Sequence, residues 1–322
     1  MDAIKLRPSF KDYIWGGTRL RDDLGKKCGL DRIAESWELS CHKDGPCYAD
    51  GGIYDGMTLA EILEKEPSAA GTACEGTDRF PILIKLIDAK DDLSVQVHPD
   101  NDYALKNEGE YGKTEMWYVM DAEPGARLLY GFDHEISREE FRKRIEDNTL
   151  LDVVNSVPVK KGDFFFIEAG TLHAIGKGLL IAEIQQNSNT TYRIYDYGRV
   201  GTDGKPRQLH TDKAVEVTKL CPPAVHTKGE PVVYENGSWT ETTLAVCDYF
   251  TVKLLDIDKR AWLCADERSF VHLLVTDGEV YFDSEKQKVI HLCKGDSLFI
   301  PAGYGYFELT PGEQAQVIMT TV

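Results

Sequence analysis

The sequence has no long apolar run. No stretch approaches the roughly 20 consecutive apolar residues that a membrane-spanning helix needs. The N-terminal segment Met-Asp-Ala-Ile-Lys-Leu-Arg-Pro-Ser-Phe-Lys-Asp also lacks the apolar core of an export signal. We therefore expect a chain that neither crosses a membrane nor is exported.

Closely spaced cysteine pairs are missing too. The eight cysteines are scattered, and none forms a Cys-x-x-Cys pair. This distribution favours reduced, structural or inert thiols in a cytoplasmic protein over a disulfide framework. Glycine and proline are not abundant, at 28 and 13 of 322 residues, and 42% of the chain is hydrophobic. These proportions exclude fibrous and disordered proteins.

Basic residues are outnumbered by acidic ones. The chain has 37 Lys and Arg residues against 54 Asp and Glu residues, which gives a net charge of −17. The summed field repels phosphate backbones and anionic lipid headgroups. We expect no nucleic-acid or membrane partner, and the sequence leaves the oligomeric state open.

Short β-rich segments make up most of the chain. Branched and aromatic residues between turn residues predict strands at residues 81–88, 115–120, 126–130, 163–167, 179–185, 251–257, 270–275, 279–283 and 297–301. Capping boxes that start at Thr58 and Ser137 predict two short helices. The length corresponds to about two domains. The pattern predicts a mainly β fold of barrels or sandwiches with a few inserted helices.

One segment is repeated within the chain. Lys-Gly-Asp-Phe-Phe-Phe-Ile-Glu-Ala-Gly-Thr-Leu-His at residues 161–173 recurs without a gap as Lys-Gly-Asp-Ser-Leu-Phe-Ile-Pro-Ala-Gly-Tyr-Gly-Tyr at residues 294–306. The spacing resembles the second motif of the cupin superfamily, whose last residue is a metal-binding histidine inside a β-barrel. His173 fills this position in the first copy, whereas Tyr306 fills it in the second.

This resemblance implies two cupin-type β-barrel or jelly-roll units. We assign residues 1–225 to a catalytic cupin domain with a metal site. Residues 226–322 are assigned to a C-terminal cupin-like domain that lacks metal ligands.

Several polar side chains are predicted to meet inside the first barrel. In the segment Ser-Val-Gln-Val-His, strand alternation puts Ser94, Gln96 and His98 on one face. Glu115 begins a later strand, and His173 comes from the repeat. Two imidazoles, a carboxylate and an amide form a catalytic type of metal site, because three or four ligands leave a position for water or substrate. These donors suit zinc, manganese, iron or cobalt.

The other six histidines are interpreted as ordinary core or surface residues: His42, His134, His210, His226, His272 and His291.

Ordered motifs resemble those of the type I mannose-6-phosphate isomerases. They are Lys-Leu-Ile-Asp at 85–88, Leu-Ser-Val-Gln-Val-His-Pro-Asp at 93–100, Gly-Lys-Thr-Glu at 112–115, Gly-Thr-Leu-His-Ala-Ile at 170–175 and Tyr-Arg-Ile-Tyr-Asp at 192–196. Trp-Gly-Gly at 15–17 and Glu-Ser-Trp-Glu at 35–38 are typical of the short bacterial form. The resemblance begins near residue 5, and beyond about residue 225 it is that of a generic cupin.

The family resemblance implies one zinc ion per chain, bound by Gln96, His98, Glu115 and His173. It also implies an active-site arginine, which its position identifies as Arg193 rather than Arg199. The substrate-lining residues that it implies are Trp15, Lys85, Ser94, Lys113 and Glu183.

The implied reaction interconverts mannose-6-phosphate and fructose-6-phosphate through an enediol. We expect the metal to polarise or orient the sugar, and Arg193 to stabilise the enediolate. Lys85, Ser94 and Lys113 are expected to bind phosphate or hydroxyl groups. Glu183, Lys113, a site histidine and metal-bound water can each act as the base, and the sequence does not choose among them.

Two other functions use the same residue types. Two histidines and a carboxylate also form the facial triad of non-haem iron oxygenases. A cupin could also bind a sugar phosphate without catalysis. Gln96 as a fourth ligand and the nearby cations favour the isomerase over the oxygenase, because a dioxygen site needs open positions and no phosphate clamp.

Overall fold

The computed structural model describes residues 1–200 and 204–322. The strands of the N-terminal part are β1 (Ile4–Arg7), β2 (Ser9–Lys11), β3 (Glu35–Leu39), β4 (Tyr48–Ala49), β5 (Ile82–Ala89), β6 (Val95–Val97), β7 (Glu115–Ala122), β8 (Arg127–Phe132), β9 (Val154–Pro158), β10 (Phe164–Ile167), β11 (His173–Ile175), β12 (Leu179–Gln186) and β13 (Tyr192–Tyr195). Those of the C-terminal part are β14 (Val232–Tyr234), β15 (Trp239–Val246), β16 (Thr251–Ile257), β17 (Ala261–Ala265), β18 (Val271–Asp277), β19 (Glu279–Ser284), β20 (Gln287–Cys293), β21 (Ser297–Ile300), β22 (Gly305–Pro311) and β23 (Ala315–Thr321).

Helices are few and short. The described residues form the α-helices α1 (Arg19–Asp22), α2 (Leu59–Lys65), α3 (Asn101–Asn107), α4 (Arg138–Glu146) and α5 (Thr211–Val217). Single 3₁₀ turns cover Gly52–Tyr54, Pro67–Ala70, Thr72–Cys74 and Leu150–Val153. The two predicted helices are confirmed, since α2 and α4 begin directly after the capping residues Thr58 and Ser137. The mainly β class is confirmed as well.

The strands of the described residues form four antiparallel sheets. The N-terminal part contributes a six-stranded sheet, β10-β7-β12-β5-β3-β2, and a five-stranded sheet, β13-β6-β11-β8-β9. The C-terminal part builds a four-stranded sheet, β17-β22-β19-β20, and most of an eight-stranded sheet, β14-β15-β16-β23-β18-β21-β1-β4. Strand β1 pairs with β21, so the N-terminal segment completes the sheet of the C-terminal part. The sequence patterns did not predict this exchange.

Strand alternation explains the layers. Successive side chains of a strand point to opposite faces of its sheet. On β12, Ala182 and Ile184 face a hydrophobic layer that they share with Leu254 and Ile318 of the eight-stranded sheet. Ile181, on the opposite face of β12, belongs to the core of the N-terminal barrel. The six- and eight-stranded sheets thus pack back to back.

The remaining layers cover the outer faces. A separate core fills the space between the eight- and four-stranded sheets, with Phe282 and Val317 as members. Phe141 of α4 and Val215 of α5 pack with Val97 of the five-stranded sheet. Among the described residues, no helix has the length and apolar character to span a membrane.

Candidate metal centre and active-site cavity

A cavity of about 280 Å³ opens at one end of the N-terminal barrel. Its walls come from the two sheets of that barrel and from the loops beside them. The lining residues are Tyr13, Trp15, Glu35, Lys85, Ile87, Leu93, Ser94, Gln96, Lys113, Ile175, Glu183, Asn189, Thr191, Arg193 and Arg207. Seven of the ten predicted site residues are among them.

The six-stranded sheet supplies one wall through the inward-facing residues of three adjacent strands. Glu183 of β12 lies directly opposite Lys85 of β5 and, on its other side, opposite Trp117 of β7. Glu115 begins β7 and pairs with Gln185 of β12. This register brings two carboxylates and an ammonium into one buried patch.

The five-stranded sheet supplies the facing wall. Gln96 occupies the middle of β6, where it pairs with His173 of β11 on one side and with Arg193 of β13 on the other. Val95 and Val97 face the opposite side, in the layer below the helices. The predicted common face of Ser94, Gln96 and His98 follows from this alternation.

Three metal-ligating side chains converge behind the cavity wall. His98 Nε2 lies 3.3 Å from Glu115 Oε1, and His173 Nε2 lies 3.9 Å from Glu115 Oε2. All three residues are at most 1% exposed, and they form a cluster of possible ligands. They lie beside two lining residues, because Gln96 Nε2 is 3.4 Å from His173 Nε2 and Lys113 Nζ is 3.4 Å from His98 Nε2.

Both imidazoles are oriented by backbone carbonyls. The Nδ1 atom of His98 lies 2.9 Å from Thr190 O, and that of His173 lies 2.8 Å from Thr171 O. These carbonyls require Nδ1–H donors, so the lone pair of each ring is on Nε2, which faces Glu115. A hydrogen bond from the other ring nitrogen to a carbonyl is usual for metal-bound histidines. A half-turn of the Gln96 amide exchanges its nitrogen and oxygen and offers an oxygen to the same point.

The electrostatics suit a bound cation. Burial alone would raise the pKa of Glu115, but the adjacent Lys113 ammonium holds it well below its usual value. Burial and the Lys113 charge lower the pKa of His98 to about 3, and burial also lowers the pKa of His173. The cluster therefore has a charged carboxylate and two neutral imidazoles, as metal binding requires. Glu115 Oε1 accepts no well-aligned hydrogen bond although Lys113 Nζ is 2.6 Å away, so the residues fit a metal ion.

Glu183 occupies a different environment from Glu115. Its Oε1 atom lies 3.4 Å from Lys85 Nζ, and its Oε2 atom accepts a hydrogen bond of 3.0 Å from Trp117 Nε1. Burial and the nearby Glu115 charge raise its pKa. Burial opposes the charge of Lys85, but the surrounding carboxylates raise its pKa. The pKa values of the two carboxylates are thus shifted in opposite directions, as in enzymes whose paired carboxylates have different roles.

Two arginines lie at the cavity. Arg193 Nε is 3.3 Å from Ser94 Oγ, and Arg193 Nη1 donates to Gln208 O at 3.0 Å. Arg207 Nε donates to Asp196 Oδ2 at 2.7 Å. Arg199 also binds Asp196, but it is not a lining residue. Arg193 thus lines the cavity, whereas Arg199 does not.

Sequence reasoning missed some of the lining residues. Glu35 belongs to a motif that pointed to the family, yet it received no role. Arg207 follows β13 in a polar segment without strand or helix periodicity. Its place in the cavity therefore could not be predicted from the sequence and is seen only in the structure. Tyr13 lies against Trp15, with ring centroids 5.6 Å apart, and these rings form an aromatic edge of the cavity.

The second copy of the repeat has a different geometry. Tyr306, at the position of His173, is 78% exposed, whereas the next residue, Phe307, is buried in the C-terminal core. Val271, at the position of Glu115, is also buried. The described residues therefore bring no equivalent ligand set together inside the second barrel.

Comparison with known proteins matches both parts of the chain to one family. Residues 3–123 match the model of the phosphomannose isomerase type I catalytic domain. Residues 240–322 match the model of the mannose-6-phosphate isomerase cupin domain. The predicted cupin architecture and the predicted family are thereby confirmed.

Curated and solved relatives cover nearly the whole chain. Mannose-6-phosphate isomerase ManA of Bacillus subtilis is 40% identical over 310 residues, which are 96% of either chain. Mannose-6-phosphate isomerase of Streptococcus mutans is 38% identical over 304 residues, 93% of this chain and 92% of that protein. The crystal structure of the mannose 6-phosphate isomerase from Bacillus subtilis superposes with a TM-score of 0.91 at 37% identity over 100% of both chains.

Proposed function

Because the chain belongs to the type I mannose-6-phosphate isomerases and interconverts mannose-6-phosphate and fructose-6-phosphate, we propose that its reaction takes place in the cavity of the N-terminal barrel. One zinc ion per chain would be held there by Gln96, His98, Glu115 and His173. The observation that carries this proposal is the convergence of both Nε2 lone pairs on the buried Glu115 carboxylate.

The donor set supports a catalytic metal. Two imidazoles, a carboxylate and an amide provide only nitrogen and oxygen donors, which suit zinc and leave room for a substrate oxygen. A bound zinc ion supplies Lewis-acid polarisation of the sugar oxygens. A closed structural zinc site would instead use four ligands, commonly with cysteine.

Basic groups of the cavity bind the substrate phosphate and hydroxyls. A chain of net charge −17 needs local cations to hold an anion. Lys85, Lys113, Arg193 and Arg207 line the cavity and provide them. Arg207 is held by Asp196, whereas Ser94 and Trp15 contribute a hydroxyl and an apolar surface for the sugar.

Arg193 stabilises the enediolate. Negative charge develops on the sugar oxygens when the carbon-bound proton leaves, and fixed donors lower the energy of that charge. The contacts of Arg193 with Ser94 and with the Gln208 carbonyl orient its guanidinium in the cavity wall.

Glu183 transfers the proton between the two carbons. Efficient bases have a pKa near the working pH, and burial raises the pKa of Glu183 toward that range. Lys113 also lines the cavity, but its ammonium is engaged with Glu115 at 2.6 Å. Lys113 therefore balances the negative charge of Glu115. Glu183 is the group that remains to act as the base.

The two units have different tasks in this proposal. Residues 1–225 carry the reaction, and residues 226–322 form a cupin-like unit without a metal in its barrel that supports the first. The pairing of β1 with β21 and the shared hydrophobic layer join them. The described cysteines are all free, which supports a reducing, cytoplasmic location.

The comparisons support the isomerase and neither an iron oxygenase nor a binding protein without activity. Removal and restoration of zinc in the full chain, with isomerase turnover measured at each stage, tests the metal assignment. We expect turnover to be lost when the metal is removed and to return when zinc is restored.

A further inference from the structure

A second cluster of metal-ligating side chains lies far from the cavity, on the outer face of the hairpin β19–β20. Its members are Glu279, His291 and Cys293. Val280 and Leu292 point into the C-terminal core, so their chain neighbours on the two strands point outward. Glu279 pairs directly with Cys293, and His291 lies on the same face two residues earlier.

The three donor atoms are at spacings that a metal ion can bridge. His291 Nε2 lies 2.9 Å from Glu279 Oε2, and Cys293 Sγ lies 3.8 Å from His291 Nε2. All three ligand atoms are within 4.8 Å of one another. Tetrahedral zinc with the usual bond lengths separates its ligands by about 3.3 to 3.8 Å. Small side-chain adjustments would therefore complete the geometry.

Neighbouring groups hold the donors in place. The ring of Tyr281 stacks on His291 with a centroid distance of 4.7 Å and an interplanar angle of 12°. The backbone N–H of Cys293 donates to Asp296 Oδ2 at 2.9 Å, and Lys5 Nζ binds the same carboxylate at 2.7 Å. The Lys-Gly-Asp turn of the repeat thus fixes the cysteine at the end of β20. These contacts restrain the His291 ring and the Cys293 backbone before a ligand binds, which lowers the entropic cost of binding.

We infer that Glu279, His291 and Cys293 form a second site for a divalent, zinc-like metal ion, separate from the catalytic centre. A thiolate, an imidazole and a carboxylate select zinc, cadmium or cobalt over magnesium and calcium, which prefer oxygen ligands. Binding replaces the thiol proton, which passes to solvent, and water fills the fourth position. His291 and Cys293, interpreted from sequence as an ordinary surface histidine and an inert thiol, become ligands.

Cadmium titration of the full-length enzyme that carries no more than one zinc ion per chain tests this site. The catalytic donor set contains no sulfur, so a thiolate-to-cadmium absorption band in the ultraviolet reports only on cysteine. We expect this band to saturate at one cadmium per chain in the wild type. It should be absent in Cys293→Ser, and binding should weaken at least about tenfold in His291→Gln and Glu279→Gln.

Cys264→Ser is the matched control. Cys264 is an exposed, free cysteine on β17 of the same sheet and is not part of the cluster. This variant should keep the full band, and all four variants should retain wild-type isomerase turnover, which also reports that they are folded. A missing band in the wild type, an undiminished band in Cys293→Ser, or an equal loss in Cys264→Ser would each overturn the inference.

Discussion

Lys113 Nζ lies 2.6 Å from Glu115 Oε1, and both side chains are buried. A positive charge thus touches the only carboxylate of the proposed metal centre. The contact keeps Glu115 ionised, because burial by itself would favour its neutral form. The same ammonium lies 4.0 Å from Glu183 Oε1, so it connects the metal ligand with the proposed base.

Replacing Glu115 should remove metal and activity together. Glu115→Gln deletes the charge of a ligand with little change in volume, so zinc content and turnover are expected to fall in parallel, turnover by more than about 100-fold. Lys113→Met is the contrasting variant: it removes a neighbouring cation, so zinc stays bound while turnover falls. Elemental analysis and turnover on the same samples check both. Full zinc with full turnover in Glu115→Gln would exclude the proposed ligand set.

Arg193→Lys should lose rate but keep the metal. A lysine retains the charge, but it cannot reproduce the planar, multiply donating guanidinium. We expect kcat to fall by about 100-fold, the usual effect of losing one donor to a developing oxyanion. Arg199→Lys, outside the cavity lining, is the control and should change kcat much less. Loss of zinc in Arg193→Lys would show that this arginine has been assigned the wrong role.

Glu183→Gln should abolish proton transfer. We expect kcat to decrease by about 100- to 10,000-fold, the range for a missing general base. Glu35→Gln changes another carboxylate of the cavity and should have a smaller effect. Exchange of the substrate C2 proton with deuterated solvent, followed by NMR, provides the direct readout. Exchange at the wild-type rate in Glu183→Gln would show that another group is the base.

Arg207→Gln should weaken substrate binding more than the chemical step. A hydrogen bond to a charged group contributes about 1.5 to 3 kcal/mol, so KM is expected to rise by about 10- to 100-fold with kcat nearly unchanged. Arg199→Gln is the matched control, because Arg199 shares Asp196 with Arg207 but does not line the cavity. Steady-state kinetics decide the point. An unchanged KM in Arg207→Gln would remove this arginine from the substrate site.

The convergence of the residues in the proposed metal centre could be predicted because short-range rules position them. Strand alternation alone puts Gln96 and His98 on one face, and the repeat identifies His173. Capping chemistry likewise located α2 and α4. These features depend on neighbours within a few positions, which a sequence displays directly.

Other features depend on contacts between distant segments. Arg207 lines the cavity, where its contact with Asp196 holds its guanidinium. The pairing of β1 with β21 joins residues almost 300 positions apart. The second metal site needs the register of Glu279 with Cys293, which the predicted strand at residues 279–283 did not specify.

The most direct test of the account is a coupled assay for fructose-6-phosphate formed from mannose-6-phosphate, with the metal content measured on the same samples. The protein is assayed as purified, after chelation, and after zinc is restored. The Cys293→Ser variant is measured in the same way, so that zinc bound at the second site does not add to the zinc content per chain. Turnover that disappears with the metal and returns at about one zinc per chain is the predicted result. Full turnover in protein shown to be free of metal would contradict the account.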